Sequence, residues 1–486
     1  MNKPLNFDEV DYVNAAQKGI INNATGGTTL NLFEYIELGK AKVDKNPNRI
    51  IELSKQLPHP NNDVFMLRHY HPPLFAYWLN VFSAADSIST QDKVLRVSGF
   101  IGAMLTFLSL CFLVWRKQKN RGLGLIIVAI FVASGLTIDS FDTLNFHLAL
   151  GITSIGFAIA LSSYLKHKTT KWILVLGATS AVMLSSLESG LFFLGAAFLG
   201  LILTGQLLKV PLKHWLFLSG SFSLVTLIIW PSFFINGEFI KSFGQYFYRI
   251  FGKSNAEYES VSYLSGWMNI IRDSPVLFGV LASFAGISLV QWKKSSASLK
   301  VLVITGLLYA VMMTPFILNS TYVYPPVVLL TAAAIWHLKE WANNPPLLYV
   351  FLAAFVLGIP FKTWEPVYTN ESLAEFKAEV AAINELTSHG KVLCIEGQVY
   401  QRYCDNAENI ENLDSPLKNK HQFTIRYDYL HADIGNEIQS GKYQGVLIRN
   451  REYFNRFHSI LEEWGFKKAL TTSRQVYFIR ANGTEH

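Results

Sequence analysis

The residues of this chain best suited to chemistry are carboxylates set beside apolar runs. Phe7-Asp8-Glu9-Val10-Asp11-Tyr12 opens an amphipathic stretch continued by Val13, Ala16 and Ile20. Two adjacent acids, Asp8 and Glu9, can take a proton from an acceptor hydroxyl; acids are also favoured at any helix N-terminus by the dipole. Asp139 and Asp142 precede an apolar run starting at 143, with Asn145 and His147 a turn later. An acid at a membrane boundary is costly to bury and marks a functional candidate, although either aspartate would also serve as a cap for the next helix. Glu188 stands in the turn Ser185-Ser186-Leu187-Glu188-Ser189-Gly190, where a lone acid also has a structural reading.

Bases and aromatics form a second set. In Arg68-His69-Tyr70-His71-Pro72-Pro73-Leu74, His69 and His71 can hold a metal or a phosphate, or simply form polar surface. The two prolines suit the first turn of a helix. Residues 74–85, with Phe75, Tyr77, Trp78 and Phe82, then read as a helix lying in the membrane interface. Segment 236–274 carries Tyr246, Tyr248, Arg249, Lys253, Tyr258 and Tyr263. Arg249 and Lys253 are one helical turn apart and can grip a phosphate, or equally an anionic headgroup. Tyr322 and Tyr324, in Thr321-Tyr322-Val323-Tyr324-Pro325-Pro326, sit where aromatic belts form.

The elements that must position these residues are membrane helices. Half of the 486 residues are hydrophobic and 16% are charged, against about a quarter charged in soluble domains. Ten apolar runs approach the roughly 20 residues needed to cross the hydrocarbon core: 97–115, 122–138, 143–163, 171–186, 188–204, 215–235, 275–292, 299–318, 322–338 and 346–363. Lys and Arg fall almost entirely in alternate linkers, segment 236–274 being the one connection on the other side with cations: Arg116, Lys117, Lys119 and Arg121; Lys166, Lys168 and Lys171; Lys209 and Lys213; Lys293, Lys294 and Lys300; Lys339. Thr137–Asn145, Ser186–Gly190 and Asn319–Pro325 carry none. Cytoplasmic loops retain Lys and Arg, so the candidate residues face the other side. The net charge of +7 is thus membrane-flanking and not a nucleic-acid footprint.

The chain divides into residues 1–95, an extracytoplasmic segment with interfacial helices and the first acids; 96–363, a helix bundle; and 364–486, a soluble α/β domain. In the last, Ser372–Ser388 and Tyr453–Trp464 read as helices, and Lys391–Glu396, Gly445–Ile448 and Arg474–Ile479 as strands. Three cysteines exclude a disulfide framework; Cys394 and Cys404 pair only if the fold brings them together. The topology exports residues 1–95 with no signal peptide ahead of them. A further helix upstream of residue 1 is therefore expected, or else tail translocation driven by the first downstream helix.

The order Asp8-Glu9, His71-Pro72-Pro73, Asp142, Tyr322-Val323-Tyr324-Pro325, then a soluble tail resembles the polytopic GT-C glycosyltransferases. Within these it resembles the protein O-mannosyltransferase and aminoarabinose-transferase superfamily, over residues 5–340. The resemblance implies that Asp8 is the catalytic base with Glu9 beside it, and that His71 stands where the aminoarabinose transferases have a lysine near the donor phosphate. It further implies that Asp142 matches the acid of the second outer loop, and that a first family helix is missing. His69, Asp139, Glu188, Tyr246, Tyr322 and Tyr324 would line the cavity.

Nucleotide sugars stay in the cytoplasm while the acids lie outside, so the donor must arrive in the membrane as a polyprenyl-phosphate sugar. The expected reaction is an inverting displacement, with departing phosphate stabilised by Arg249, Lys253 or His71. Asp142 would orient the acceptor (a protein, lipid or glycan) or hold a divalent metal ion. A flippase or transporter would place ionisable residues at mid-bilayer. A polysaccharide ligase or polymerase would lean on outer Arg and His. Both fit less well. The expected location is the bacterial inner membrane.

Overall fold

The structure is a computed structural model. It describes residues 7–17, 19–25, 33, 37, 40, 72–83, 88–117, 121–142, 144–235, 237, 239–240, 263–314, 320–342, 378, 381–382, 385, 392–395, 438–441, 443–449, 455–472 and 475–481. His69, His71, Tyr246, Arg249, Lys253, Cys404 and the run 346–363 lie outside the described residues.

Near the N-terminus come α1 (Phe7–Gln17), α2 (Ile20–Thr25) and α3 (Leu74–Phe82). The bundle follows: α4 (Ile88–Lys117), α5 (Arg121–Val132), α6 (Gly135–Asp142), α7 (Phe146–His167), α8 (Thr170–Ser186), α9 (Gly190–Leu203), α10 (Leu212–Ile229), α11 (Tyr263–Asp273), α12 (Pro275–Val290), α13 (Ala297–Met312) and α14 (Tyr324–Trp336). Helices overlie each expected apolar run from 97–115 to 322–338. Among the described residues, three are long and apolar enough to cross a membrane, within α4, α7 and α10. The pair α11–α12, bent by 104°, makes a fourth if it forms one broken span.

Two boundaries differ from the sequence reading. The first run extends back to Ile88, which brings Asp92 and Arg96 into α4. The run 122–138 breaks at Ala133-Ser134, where the Ser134 hydroxyl donates to Phe131 O at 2.8 Å and ends α5. Asp139 and Asp142 therefore lie in helix α6, not in a loop.

α7 and α14 form the centre. α7 is capped by Asn145, whose Oδ1 accepts from Leu148 N at 3.2 Å, and ends at Lys168 with φ 50. The cap is Asn145, not either aspartate. Packing, not water exclusion, joins helices in lipid, and small residues permit close approach. A Cβ on Gly151 would meet the Tyr324 ring at 2.6 Å, and one on Gly177 the Leu218 carbonyl at 2.6 Å. Those contacts bind α7 to α14 and α8 to α10.

Polar contacts sort the linkers into two ends. Thr153 and Ser186 hydroxyls lie 3.4 Å apart, where α7 begins and α8 ends. At the opposite end Tyr164 Oη is 3.0 Å from His214 Nδ1. Also at that end, Glu340 accepts from Ser296 N at 2.9 Å and from its hydroxyl at 3.0 Å, and lies 2.7 Å from His337 Nδ1. Burial raises the Glu340 pKa, but the hydrogen bonds from His337 and Ser296 and the His337 charge outweigh it and hold the carboxyl below its ordinary value. The lysines from Lys166 to Lys213, with Lys293, Lys294, Lys300 and Lys339, cluster around this end.

The C-terminal elements are β1 (Val392–Ile395), β2 (Gly445–Arg449), α15 (Asn455–Glu463), β3 (Phe466–Thr471) and β4 (Gln475–Arg480). The sheet order is β1-β2-β4-β3, with β1 parallel to β2 and the other pairs antiparallel. β3 was not expected. Its burial pattern is mostly exposed after Phe466, so it lacks the apolar run that marks its neighbours. The helix expected over 372–388 is helical at the positions described.

Candidate functional site

Glu9 organises the end of the bundle away from the lysines. Its side chain is 1% exposed. Arg96, in the early turns of α4, donates to both of its oxygens at 2.5 and 2.7 Å, and Leu144 N donates to Oε1 at 2.8 Å. A charge this deep is tolerated only when paired and hydrogen-bonded, and the planar guanidinium fork suits two carboxylate oxygens at once. One carboxylate thus ties together α1, α4 and the link between α6 and α7.

Aromatic rings close the same junction. Tyr12 meets Phe146 edge-on with centroids 4.4 Å apart, and Phe75 lies 4.8 Å from Phe146. α3 follows Pro72-Pro73, both buried, and buries Phe75, Ala76 and Leu79. Asn80 Nδ2 donates to Ala16 O at 2.7 Å, and the Tyr77 hydroxyl donates to Ile229 O at 2.8 Å. The helix expected after the Pro-Pro motif is present and is held by these two side chains.

Asp8 immediately precedes Glu9, and Asp142 stands two residues before Leu144. The Glu9 clasp therefore brings the backbones bearing these two aspartates alongside each other. α6 is fixed at its start, where Leu136 N donates to Ser274 Oγ at 2.8 Å at the α11–α12 bend. It is fixed near its end by Asn145 Nδ2 donating to Ser140 O at 3.3 Å. The Asp8, Asp139 and Asp142 side chains lie outside the described residues.

A second cluster lies at the same end. Glu188 is 6% exposed, in the turn between α8 and α9. The Tyr309 hydroxyl donates to Ser189 Oγ at 2.8 Å, and its ring stacks on Phe193 at 3.9 Å. The Glu188 carboxyl and the Tyr322 hydroxyl are close enough to act on the Tyr309 hydroxyl electrostatically. The Tyr322 ring lies 4.3 Å from that of His147, three residues beyond Leu144. The first turn of α7 links the two clusters.

Two expected roles change. Glu9 was read as a catalytic acid, but Arg96 and the Leu144 amide hold it where almost no solvent reaches. In this arrangement it acts as a clasp. Tyr324 was read as lining a cavity; it is 0% exposed, fills the space above Gly151 and reaches Thr106 Oγ1 at 3.5 Å. It is core packing. Tyr322, half-buried beside His147, is better placed to line a cavity.

Sequence reasoning missed Arg96, Ser274 and the Ser189–Tyr309 pair. An arginine one position before an apolar run reads as a boundary marker, and lone serines carry no pattern. Asp92 with Arg96, one turn apart and both buried, was the available signal. Among the described residues, no group of three or more His, Cys, Asp or Glu side chains is arranged to hold a metal ion.

No family model and no curated protein matches the sequence. In structure, the chain is similar to ArnT from Cupriavidus metallidurans bound to undecaprenyl phosphate. The TM-score is 0.51 at 11% identity, over 98% of this chain and 98% of that one. It is similar also to ArnT from the same organism in the apo state, with TM-score 0.51 at 10% identity, over 97% of this chain and 96% of that one. The fold is that of ArnT.

Proposed function

We propose that this chain is a GT-C glycosyltransferase that moves a sugar from a polyprenyl-phosphate donor to a hydroxyl, on the membrane face opposite the lysine-rich linkers. The observation that carries this reading is the convergence at Glu9. It brings the Asp8 helix, the Asp142 helix and the Pro-Pro helix to one junction at one end of an apolar bundle. The undecaprenyl phosphate bound to ArnT supports a lipid-borne donor. A transporter reading finds no support among the described spans, because their ionisable residues sit at the ends and not at mid-bilayer.

In the proposed reaction the acceptor hydroxyl attacks the anomeric carbon while Asp8 takes its proton. The bond from that carbon to the phosphate oxygen breaks, and the lipid phosphate leaves with the electron pair. Arg249, Lys253 and His71 are assigned to the phosphate charge, and Asp142 to orienting the acceptor. Glu9 and Arg96 act as positioning residues. Tyr322, His147 and Glu188 are assigned to the cavity wall. The bundle is read as the ten spans named above, with the C-terminal sheet as a separate domain on the same side as the acids.

The test is transfer in vitro. Purified protein is incubated with defined polyprenyl-phosphate sugars and cell-envelope extract, and products are identified by mass spectrometry. Sugar-mass additions that require the lipid-linked donor support the reading. Transfer from a nucleotide sugar alone would overturn it.

A further inference from the structure

We infer that a groove at the lysine-rich end of the bundle seats an acyl chain of an anionic glycerophospholipid. The groove has a volume of about 490 Å³ and is bounded by Phe157 and Leu161 of α7, Leu176 of α8, Phe198 of α9, and Trp215 and Leu218 of α10. That volume lies within the range of small-ligand sites. Its Tyr164 hydroxyl is already satisfied by His214 Nδ1 at 3.0 Å, so the wall it offers is apolar.

The groove exists because α8 packs against both α9 and α10 while those two pack more loosely on each other, with the Phe198 and Trp215 rings 6.3 Å apart between them. Gly195 lies in the gap, and a Cβ there would meet nothing within 4 Å. The gap opens onto lipid. α10 is apolar and long enough to cross the membrane, yet only 11% of it is buried. Leu203, Leu216 and Leu224 beside the opening are 67%, 68% and 59% exposed.

Charge selects the occupant. Lys166, Lys171, Lys209 and Lys213 each lie within two positions of a lining residue, and all are exposed. Neither 165–172 nor 204–214 contains an acid. A second copy docking here would bring its own lysines against these, which repels. A phospholipid with an anionic headgroup places its tail in the groove and its charge among the lysines. The site lies at the end of the bundle opposite Glu9, so its failure would leave the proposed transfer reaction untouched.

The test uses the full chain in bilayers, with Trp215 as reporter. Trp215 quenching, taken as the difference from Trp215→Phe, is measured with phosphatidylglycerol or phosphatidylcholine brominated on the acyl chain. The inference expects quenching by both, with a phosphatidylglycerol preference of about fivefold per lysine at the rim. It expects that preference to fall by about 25-fold in Lys209→Gln with Lys213→Gln. Gly195→Phe, or Ser223→Phe if the first does not fold, should abolish the Trp215 component by filling the gap. Equal quenching by the two lipids would overturn the inference. So would a Trp215 component that survives groove filling, or displacement of bromolipid by polyprenyl phosphate or by added protein alone.

Discussion

Glu9 and Arg96, separated by 87 positions in the chain, meet through two parallel hydrogen bonds of 2.5 and 2.7 Å with both side chains buried. That pair, with the Leu144 amide, decides where Asp8 and Asp142 stand relative to each other. The functional proposal rests on that geometry.

Removing one partner breaks a buried ion pair and its two hydrogen bonds. Glu9→Gln and Arg96→Met should each destabilise the protein by about 3–5 kcal/mol. The double variant should lose less than the sum. Thermal unfolding in detergent provides the double-mutant cycle, and strictly additive losses would remove the clasp from the account.

The contact between α7 and α14 leaves no room at Gly151. Because a Cβ would lie 2.6 Å from Tyr324, Gly151→Ala should cost roughly 1–3 kcal/mol by overpacking. Tyr324→Phe keeps the ring and removes the hydroxyl with its 3.5 Å contact to Thr106, so it should cost about 1 kcal/mol. Thermal midpoints rank the two, and a larger loss from Tyr324→Phe would contradict this packing.

His458 sets a pH dependence in the C-terminal sheet. Burial lowers its pKa to about 4 and Lys468 adds to the effect, with Glu462 opposing. The folded value lies below the unfolded one, so the unfolded chain binds the proton first. Stability is complete above the unfolded value of 6.5 and declines as pH falls from there towards about 4. Hydrogen exchange at Val446–Ile448, corrected for intrinsic rates, should lose protection across that window, and His458→Leu should flatten the profile.

Sidedness is checked by labelling. Single cysteines at positions 8 and 142, in a background lacking the native cysteines, should react with a membrane-impermeant maleimide from one side. Cysteines at 168 and 293 should react from the other. Opposite labelling of 8 and 142 would dismantle the shared junction.

The helices were legible in the sequence because an apolar run is a local property of the chain. The break at Ala133-Ser134 was not, because a serine and a glycine inside an apolar run are ordinary in membrane helices and only the Ser274 contact shows the chain turning. The acids at positions 8, 9, 139 and 142 stand out in the sequence by type and by their place beside apolar runs. The burial of Glu9 could not be read there, because it depends on Arg96, far away in the chain. Tyr322 and Tyr324 look alike as letters; the absent Cβ at Gly151 draws one into the core, and His147 holds the other at the edge.

The most direct measurement is the transfer rate of Asp8→Asn in the lipid-donor assay, alongside Asp142→Asn and the wild-type chain. If Asp8 takes the acceptor proton, its variant should fall by about 10²–10⁴ in kcat with the fold intact. An Asp8→Asn protein that retains more than about a tenth of wild-type transfer would contradict the account, since loss of a general base is not that mild.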